Sequence, residues 1–260
     1  MDNEDLGILY GFSLFETFYV NNLGRVFLLD NHISRILASA QHFGIDAETD
    51  ARQLKTKIIS HIAKNGIADS VLRVTVSAGN KIKGIRSLIL FSGRENIYTP
   101  ERKSKGCRIG FSDVRKSASS LLLAHKTANY LENYLLLQEA AMKGFDDMLF
   151  LNTDGYITET CKSNIFFVKN EVICTPLLSC GLLPGIIRKW VQEKAAAKEI
   201  LYSEGQFRLN DVIEADEVFV TNSVMGILYV NEIGEFSGKK QGKLTKFLSD
   251  ELIFDMGSEK

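Results

Sequence analysis

The sequence has little of what would place a chain in a membrane, outside the cell or on a nucleic acid. No apolar run approaches the roughly 18 residues of a spanning helix, and the acidic segment 1–5 lacks the basic start and apolar stretch of a signal peptide. The 31 lysines and arginines nearly balance the 32 aspartates and glutamates, so no overall charge attracts DNA, RNA or an anionic bilayer. We therefore expect a cytoplasmic protein with no nucleic-acid partner and no membrane partner.

Cysteine is also scarce, with four in 260 residues, and no two cysteines form a Cys-x-x-Cys pair. Zinc ligands usually come in such pairs, so no metal site is expected. In a reducing compartment the four side chains should be free thiols. Cys174 and Cys180 lie close in sequence, which keeps a redox pair as the alternative.

The composition is that of a globular chain that buries a core, since 45% of the residues are hydrophobic and 24% are charged. In the first half, apolar alternation and one-sided apolar stripes predict an α+β unit with helices beside an antiparallel sheet. The predicted strands are 12–20, 25–29, 71–77 and 87–92, and the predicted helices lie between Asp30 and Gly44 and over 52–64.

The segment 115–120 is small and polar, like a linker, and the pattern changes after it. We predict a small α+β domain over 1–114, a linker over 115–125 and a larger, strand-rich domain over 126–260. The helices expected in the second half are 127–143, 186–198, 209–214 and 243–254. The strands expected there are 147–152, 156–158, 164–169, 172–175, 217–221 and 227–230.

Lys126 is the first candidate for chemistry, because it stands between an apolar run, 121–124, and the start of a predicted helix. The positive end of a helix dipole disfavours an ammonium and so lowers the pKa of a nearby lysine towards the nucleophilic amine. Such an amine could form a Schiff base with pyridoxal 5′-phosphate (PLP). Tyr130, four positions further on, could donate its hydroxyl to the phenolic oxygen of PLP. A solvated lysine and a core tyrosine are the alternatives that position alone leaves open.

A carboxylate for the ring nitrogen of PLP could come from Glu159, which lies where a predicted strand leaves a turn. Such a carboxylate keeps the ring protonated, so that the ring can accept electrons from a substrate. Ser163 and Asn164 follow in the next bend, where they could pair with its backbone groups. A surface glutamate is the alternative.

Two segments could hold the phosphate of PLP. The helix start within 183–188 offers unpaired N–H groups and a glycine that lets a ligand approach. Thr221, Asn222 and Ser223 follow a predicted strand in a turn and supply hydroxyl and amide donors. Arg35 could add the counter-charge, with an ordinary helix-surface arginine as the alternative.

In this order the segments resemble the class IV (fold type IV) PLP enzymes, which include branched-chain aminotransferases, D-amino-acid aminotransferases and 4-amino-4-deoxychorismate lyases. The resemblance covers nearly the whole chain, and six matches in one order exclude chance. The matching segments are 10–17, Asp30-x-His32-x-x-Arg35, 126–132, Glu159-x-x-x-Ser163-Asn164, 183–186 and 215–223.

The resemblance implies roles for these residues and an architecture around them. Lys126 would be the Schiff-base lysine, Glu159 the partner of the ring nitrogen and Tyr130 the donor to the phenolic oxygen. The remaining cofactor-binding residues would be Arg35, Ser163, Asn164, Gly185, Ile186, Ile187, Asn222 and Ser223. The implied fold is a two-domain α+β fold like that of D-amino-acid aminotransferases, with PLP in the interdomain cleft of a homodimer that acts on a small amino compound.

Within this family the resemblance leans towards the lyase, which converts 4-amino-4-deoxychorismate to 4-aminobenzoate and pyruvate in folate biosynthesis. Only nine residues precede Tyr10, and segments 158–161 and 222–225 have lyase-like residues. A branched-chain or D-amino-acid aminotransferase that passes the amino group to 2-oxoglutarate is the alternative. A non-catalytic module on the same fold is a further alternative. The presence of both Lys126 and Glu159 argues against it.

A substrate carboxylate needs a local cation, and Arg73 on the predicted strand 71–77 is the first candidate. A solvent-facing strand arginine is the alternative. The turn after that strand, 78–84, departs from the glycine- and arginine-rich turn of the lyases. Two alternatives follow: Lys83 replaces the missing charge, or the protein acts on another substrate. Tyr10, Phe15 and Thr17, from the first matching segment, complete the set of substrate-binding candidates.

Overall fold

The computed structural model describes residues 2–237 and 240–258, and the chain forms two compact units. The first unit comprises Met1–Ile97 and His125–Tyr130, and the second comprises Tyr98–Ala124 and Leu131–Lys260. Among the described residues, no helix combines the length and the apolar character that crossing a bilayer requires. The four cysteines are buried free thiols.

The described part of the first unit is an antiparallel sheet, ordered β1-β2-β3, with helices packed on one face. Alternation along β1 and β2 directs Leu14, Phe18 and Val74 to the buried face, where they meet the apolar stripes of two helices. The elements are α1 (Leu6–Tyr10), β1 (Ser13–Val20), α2 (Leu29–His42), α3 (Ala51–Lys64), β2 (Ser70–Ser77) and β3 (Ile89–Glu95).

The strand predicted over 25–29 is wrong. Only Val26 pairs with β1, through a single bridge to Val20. Leu28 then adopts a left-handed backbone with φ of 54°, and α2 begins at the next residue. The positive φ turns the chain away from the sheet before a second strand can extend.

The described part of the second unit is built on a nine-stranded sheet, ordered β10-β11-β4-β5-β6-β7-β8-β9 with β12 beside β11. The sheet closes on itself because β10 also pairs with β7. Its elements are α4 (Pro100–Ser104), β4 (Cys107–Lys116), α5 (Leu131–Met142), β5 (Asp147–Asn152), β6 (Ile157–Thr160), β7 (Asn164–Lys169), β8 (Val172–Pro176), α6 (Ile186–Ala197), β9 (Tyr202–Gly205), α7 (Leu209–Ile213), β10 (Glu217–Asn222), β11 (Gly226–Ile233), β12 (Phe236–Ser237) and α8 (Lys243–Ser258).

Most strands and helices expected in the second half are confirmed, with the start of one helix as the exception. The helix predicted over 127–143 begins at Leu131. Residues 126–128 are extended and pair with β1 instead. The compact units differ from the predicted domain ranges 1–114 and 126–260 in two places. The second unit already begins at Tyr98, because β4 pairs in parallel with β5 and β11. Residues 125–130 belong to the first unit, since they pair with β1.

Candidate active site

Lys126 lies in the extended segment that pairs with the edge of β1. The N–H of Phe15 donates to the Lys126 carbonyl at 2.9 Å, and the N–H of Ala128 donates to the Ser13 carbonyl at 2.8 Å. This pairing places Lys126 Nζ 4.4 Å from the centroid of the Phe15 ring. The amine is therefore positioned by a sheet edge and not by the helix start that the dipole argument required.

Phe15 is the centre of a cluster that also contains Tyr130 and Arg73. The Tyr130 ring meets the Phe15 ring edge to face, with centroids 5.7 Å apart, and Arg73 Cζ lies 3.6 Å from the Phe15 centroid. Arg73 Nε donates to Thr75 Oγ1 at 3.2 Å. Burial lowers the pKa of Arg73, and among the described residues no carboxylate offsets that cost. The cluster therefore offers a partly desolvated cation that contacts the same phenyl ring as the amine.

The other substrate-binding candidates fall into two groups. Thr17 lies opposite Arg73 in the β1–β2 register, on the same sheet face as Phe15. Tyr10 is exposed at the end of α1. Lys83 is exposed in a short 3-10 turn between β2 and β3, with Nζ 3.6 Å from a Glu4 carboxylate oxygen. Only Phe15, Thr17 and Arg73 are thus brought to one sheet face.

Arg35 belongs to a buried charged group on the other face of β1. Glu16 is 2% exposed, and its Oε1 accepts from Arg35 Nε at 2.7 Å. Its Oε2 accepts from Arg35 Nη2 at 2.7 Å and lies 2.6 Å from His32 Nδ1. Although burial raises the pKa of Glu16, the positive charge of Arg35 and the hydrogen bonds from Arg35 and His32 lower it to about 2. The guanidinium is consequently held in one plane by two parallel bonds.

Glu159 and Asn164 are brought together in the second unit at the turn from β6 to β7. Glu159 Oε2 accepts from the Leu183 N–H at 3.1 Å and from Asn164 Nδ2 at 3.4 Å. Asn164 Nδ2 also donates to the Leu183 carbonyl at 2.9 Å. The carboxylate at position 159 is therefore oriented by one donor from the segment that precedes α6 and one from the start of β7.

Gly185 is the N-cap of α6, next to this carboxylate. A Cβ at position 185 would lie 2.0 Å from Asn164 Oδ1, so the close approach requires glycine. No side chain of the described residues caps the helix start, where Ile186 and Ile187 contribute the first backbone N–H groups. Unpaired N–H groups and the helix dipole make such a start suitable for an anion.

Asn222 ends β10 and organises the turn that contains Ser223. Its Oδ1 accepts from the N–H groups of Val224 and Met225, each at 2.9 Å. Its Nδ2 donates to the Lys162 carbonyl at 3.1 Å and to Ser163 Oγ at 3.4 Å. Since β10 also pairs with β7, this turn lies at the same end of the sheet as Asn164.

Glu16 was not among the predicted site residues, and Thr221 was predicted only as a member of the phosphate-binding turn. Glu16, which holds Arg35, lies in the first matching segment, but no local pattern connects it to residues on α2. Thr221 is 1% exposed, and its Oγ1 has no hydrogen-bond partner among the described residues. It pairs with Asn164 and precedes Asn222. A buried hydroxyl without a protein partner is uncommon, and its hydrogen-bonding capacity is left for a water or a ligand atom.

The residues present fit PLP. The first unit offers an amine, a tyrosine hydroxyl and an arginine. The second offers a carboxylate held by N–H donors, a helix start that only glycine can precede, and an unpaired buried hydroxyl. These are the groups that the aldehyde, phenolic oxygen, ring nitrogen and phosphate of PLP require.

This combination of fold and side chains defines a PLP-dependent enzyme of fold type IV. A family model for amino-transferase class IV matches residues 13–233, so the chain belongs to the class IV aminotransferases, and PLP is its cofactor. The predicted α+β fold of this type is thereby confirmed. The membership extends over the described parts of both units.

The chain is similar to relatives with different activities. It is 31% identical over 257 residues to the "Putative branched-chain-amino-acid aminotransferase" of Methanocaldococcus jannaschii, covering 95% of this chain and 88% of that protein. It is 28% identical over 251 residues to the aminodeoxychorismate lyase of Bacillus subtilis, covering 94% and 85%. The crystal structure of a branched-chain aminotransferase from Thermoproteus uzoniensis with norvaline superposes with a TM-score of 0.90 at 25% identity, covering 100% of this chain and 91% of that chain.

Proposed function

We propose that the chain is a 4-amino-4-deoxychorismate lyase, which releases 4-aminobenzoate and pyruvate. The observation that carries this choice is the turn after β10, where Asn222 accepts two N–H groups through Oδ1 and donates through Nδ2. The amide of Asn222 makes both kinds of bond, so the lyase-like residue at this position is built into the turn. Similarity to the lyase of Bacillus subtilis supports the same choice.

When bound, PLP supplies a protonated ring that accepts the electron pair released at the substrate carbon next to the amino group. Lys126 would bond the cofactor aldehyde in the resting enzyme, and after the substrate amine has displaced it, the freed amine of Lys126 would take the proton from that carbon. Glu159 would accept a hydrogen bond from the ring nitrogen, and Tyr130 would donate to the phenolic oxygen. Loss of that proton, with cleavage of the bond between the ring carbon and the ether oxygen, would leave 4-aminobenzoate and release enolpyruvate, which takes up a proton to become pyruvate.

The phosphate and the substrate carboxylate need separate cations. Arg35 would bind the phosphate together with the N–H groups at the start of α6 and the turn at Asn222 and Ser223. Arg73 would bind a substrate carboxylate, because its guanidinium is partly desolvated and has no carboxylate partner among the described residues. Ion pairing with a substrate would offset that desolvation.

We also propose a homodimer. On α5, Leu131, Tyr134 and Leu135 lie at helical spacing on one face and are more than half exposed. Apolar side chains of this size, grouped on one helix face, are typical of a protein interface. Light scattering of the purified protein should give twice the chain mass, and Leu135→Glu should reduce it to one chain. A single-chain mass for the unmutated protein would contradict this assembly.

The product assay decides between activities. The holoenzyme mixed with 4-amino-4-deoxychorismate alone should give 4-aminobenzoate fluorescence and an equal amount of pyruvate. Lys126→Ala should lose this activity by several powers of ten, whereas Lys143→Ala, at an exposed position in the turn after α5, should keep it. Near-normal turnover of the Lys126 variant would exclude the proposed site.

A branched-chain or D-amino-acid aminotransferase is the second candidate, favoured by the 31% identity to the Methanocaldococcus jannaschii protein. Glutamate formation from 2-oxoglutarate with leucine or D-alanine, without 4-aminobenzoate, would establish it.

The alternative of a non-catalytic module is tested by the absorbance spectrum of the purified protein. The holoenzyme should absorb in the near-ultraviolet to violet and lose this band with borohydride, and a protein that stays colourless with PLP would be such a module.

A further inference from the structure

Glu16 is an unusual side chain for its place in the fold. Alternation along β1 puts it on the same face as Leu14 and Phe18, which belong to the apolar core under α2 and α3. It is 2% exposed. A carboxylate buried in such surroundings is retained only where its partners offset the loss of hydration.

The partners of Glu16 come from one face of α2. His32 and Arg35 are separated by three positions, so both side chains lie over β1. Three hydrogen bonds reach the carboxylate, two from the guanidinium at 2.7 Å and one from the ring Nδ1 at 2.6 Å. Because an ionised carboxylate only accepts, His32 Nδ1 carries the proton. Both oxygens of Glu16 are therefore fixed, one by Arg35 alone and one by both residues.

Among the described residues, the imidazole hydrogen-bonds only to the carboxylate, and its ring meets the Phe18 ring edge to face with centroids 5.1 Å apart. His32 is 1% exposed, and its Nε2 has no hydrogen-bond partner among the described residues. Burial lowers the pKa of His32 despite the neighbouring carboxylate, and Lys126 lowers it further. The ring is consequently neutral in the folded protein at neutral pH, and the charge of Glu16 is balanced by Arg35.

We propose that Glu16 is a positioning residue for the cofactor phosphate, because it fixes the plane of the Arg35 guanidinium, while His32 fixes Glu16. This inference rests on the proposed function, in which Arg35 binds the phosphate. The alternative is that Glu16 merely reduces the charge of Arg35. The two roles predict opposite effects, because removing a negative charge strengthens anion binding, whereas removing a positioning bond weakens it.

The test compares PLP with pyridoxal, which has the same aldehyde and ring but no phosphate. Both are titrated into the full chain freed of cofactor, with the absorbance band as readout and borohydride trapping as the check. In Glu16→Gln, the preference for PLP over pyridoxal should fall about ten- to hundred-fold, with pyridoxal affinity nearly unchanged. Glu16→Asp keeps the charge and shortens the reach, so its preference should fall as well. If the glutamine variant does not fold, the aspartate variant still tests the positioning role.

Controls separate this inference from the proposed function. Glu232→Gln breaks another two-bond arginine–glutamate pair, with Arg108 in the second unit, and should leave the preference unchanged. Arg35→Met should abolish most of the preference. If it does not, the assignment of Arg35 to the phosphate fails. If it does, but Glu16→Gln raises the preference or Glu16→Asp keeps it intact, the positioning role of Glu16 is wrong and the function stands.

Discussion

Replacing Glu16 by glutamine should reduce the acid sensitivity of the first unit. Burial raises the pKa of this carboxyl, but Arg35 and His32 lower it overall from 4.5 to about 2. The unfolded chain binds the proton at the higher pKa, so ionised Glu16 stabilises the fold. The difference corresponds to about 3 kcal/mol, at about 1.4 kcal/mol per pH unit.

The sign follows from which state binds the proton first. The stabilisation by Glu16 is fully present above pH 4.5 and disappears as the pH falls towards 2. Roughly 1 to 1.5 kcal/mol of it should be lost by pH 3.5. His32 acts in the same direction, because its pKa is lowered from 6.5 and the unfolded chain takes up that proton first. Making the Glu16→Gln exchange in a His32→Gln background separates the carboxylate from the ring.

The assay must report on the first unit alone. The only tryptophan, Trp190, lies in the second unit, so its fluorescence does not report on the sheet that contains Glu16. Hydrogen exchange of peptides from β1 and α2, corrected for intrinsic rates, gives the local free energy of opening at about pH 6 and pH 3.5. If this free energy falls between about pH 6 and pH 3.5 by the same amount, within about 0.5 kcal/mol, in the His32→Gln protein and in the protein that also carries Glu16→Gln, the linkage argument is refuted.

Three further predictions concern the second unit. Thr221→Val should weaken PLP binding but change the free energy of unfolding of the cofactor-free chain by less than about 0.5 kcal/mol, because its hydroxyl has no partner among the described residues. Thr175→Val loses a 2.8 Å hydrogen bond to a backbone carbonyl and should lower that free energy by about 1–2 kcal/mol. Denaturant titrations followed by tryptophan fluorescence measure both values. Gly185→Ala should lower PLP affinity at least about ten-fold, because its Cβ would lie 2.0 Å from the Asn164 amide oxygen, and Gly93→Ala, with no atom within 4 Å, should not. The four thiols should react with a disulfide reagent only after unfolding, because they are buried and burial raises their pKa values.

Strands with a clear apolar run could be predicted from the sequence, and β4 could not. β7 has four consecutive apolar residues, 165–168, between a polar and a charged end, and was predicted at its observed bounds. β4 contains charged residues at Arg108, Asp113 and Arg115, and its pairing with β5 shifts register between Phe111 and Arg115. A strand with an irregular register does not keep a period of two, so its pattern is lost in the sequence.

Candidate site residues could be proposed from the sequence where one segment carries a whole function. Lys126 and Glu159 were proposed from their neighbours in sequence, although the local structure assumed around Lys126 was wrong. The start of α6 could be predicted from a glycine followed by a helical pattern. The role of Glu16 and the unpaired state of the Thr221 hydroxyl could not be predicted, because both depend on partners that are present or absent only after folding.

The position of Lys126 and the orientation of Arg35 both depend on the register of β1. The odd-numbered residues Phe15 and Thr17 face Arg73 and the amine, whereas the even-numbered Glu16 faces α2. A slip by one residue would exchange the two faces and put a carboxylate beside the lysine. The register is fixed from one side by eight paired positions with β2 and from the other by the backbone bonds of residues 126–128. The same pairing of residues 126–128 with β1 that positions the amine therefore also keeps Glu16 under the Arg35 guanidinium.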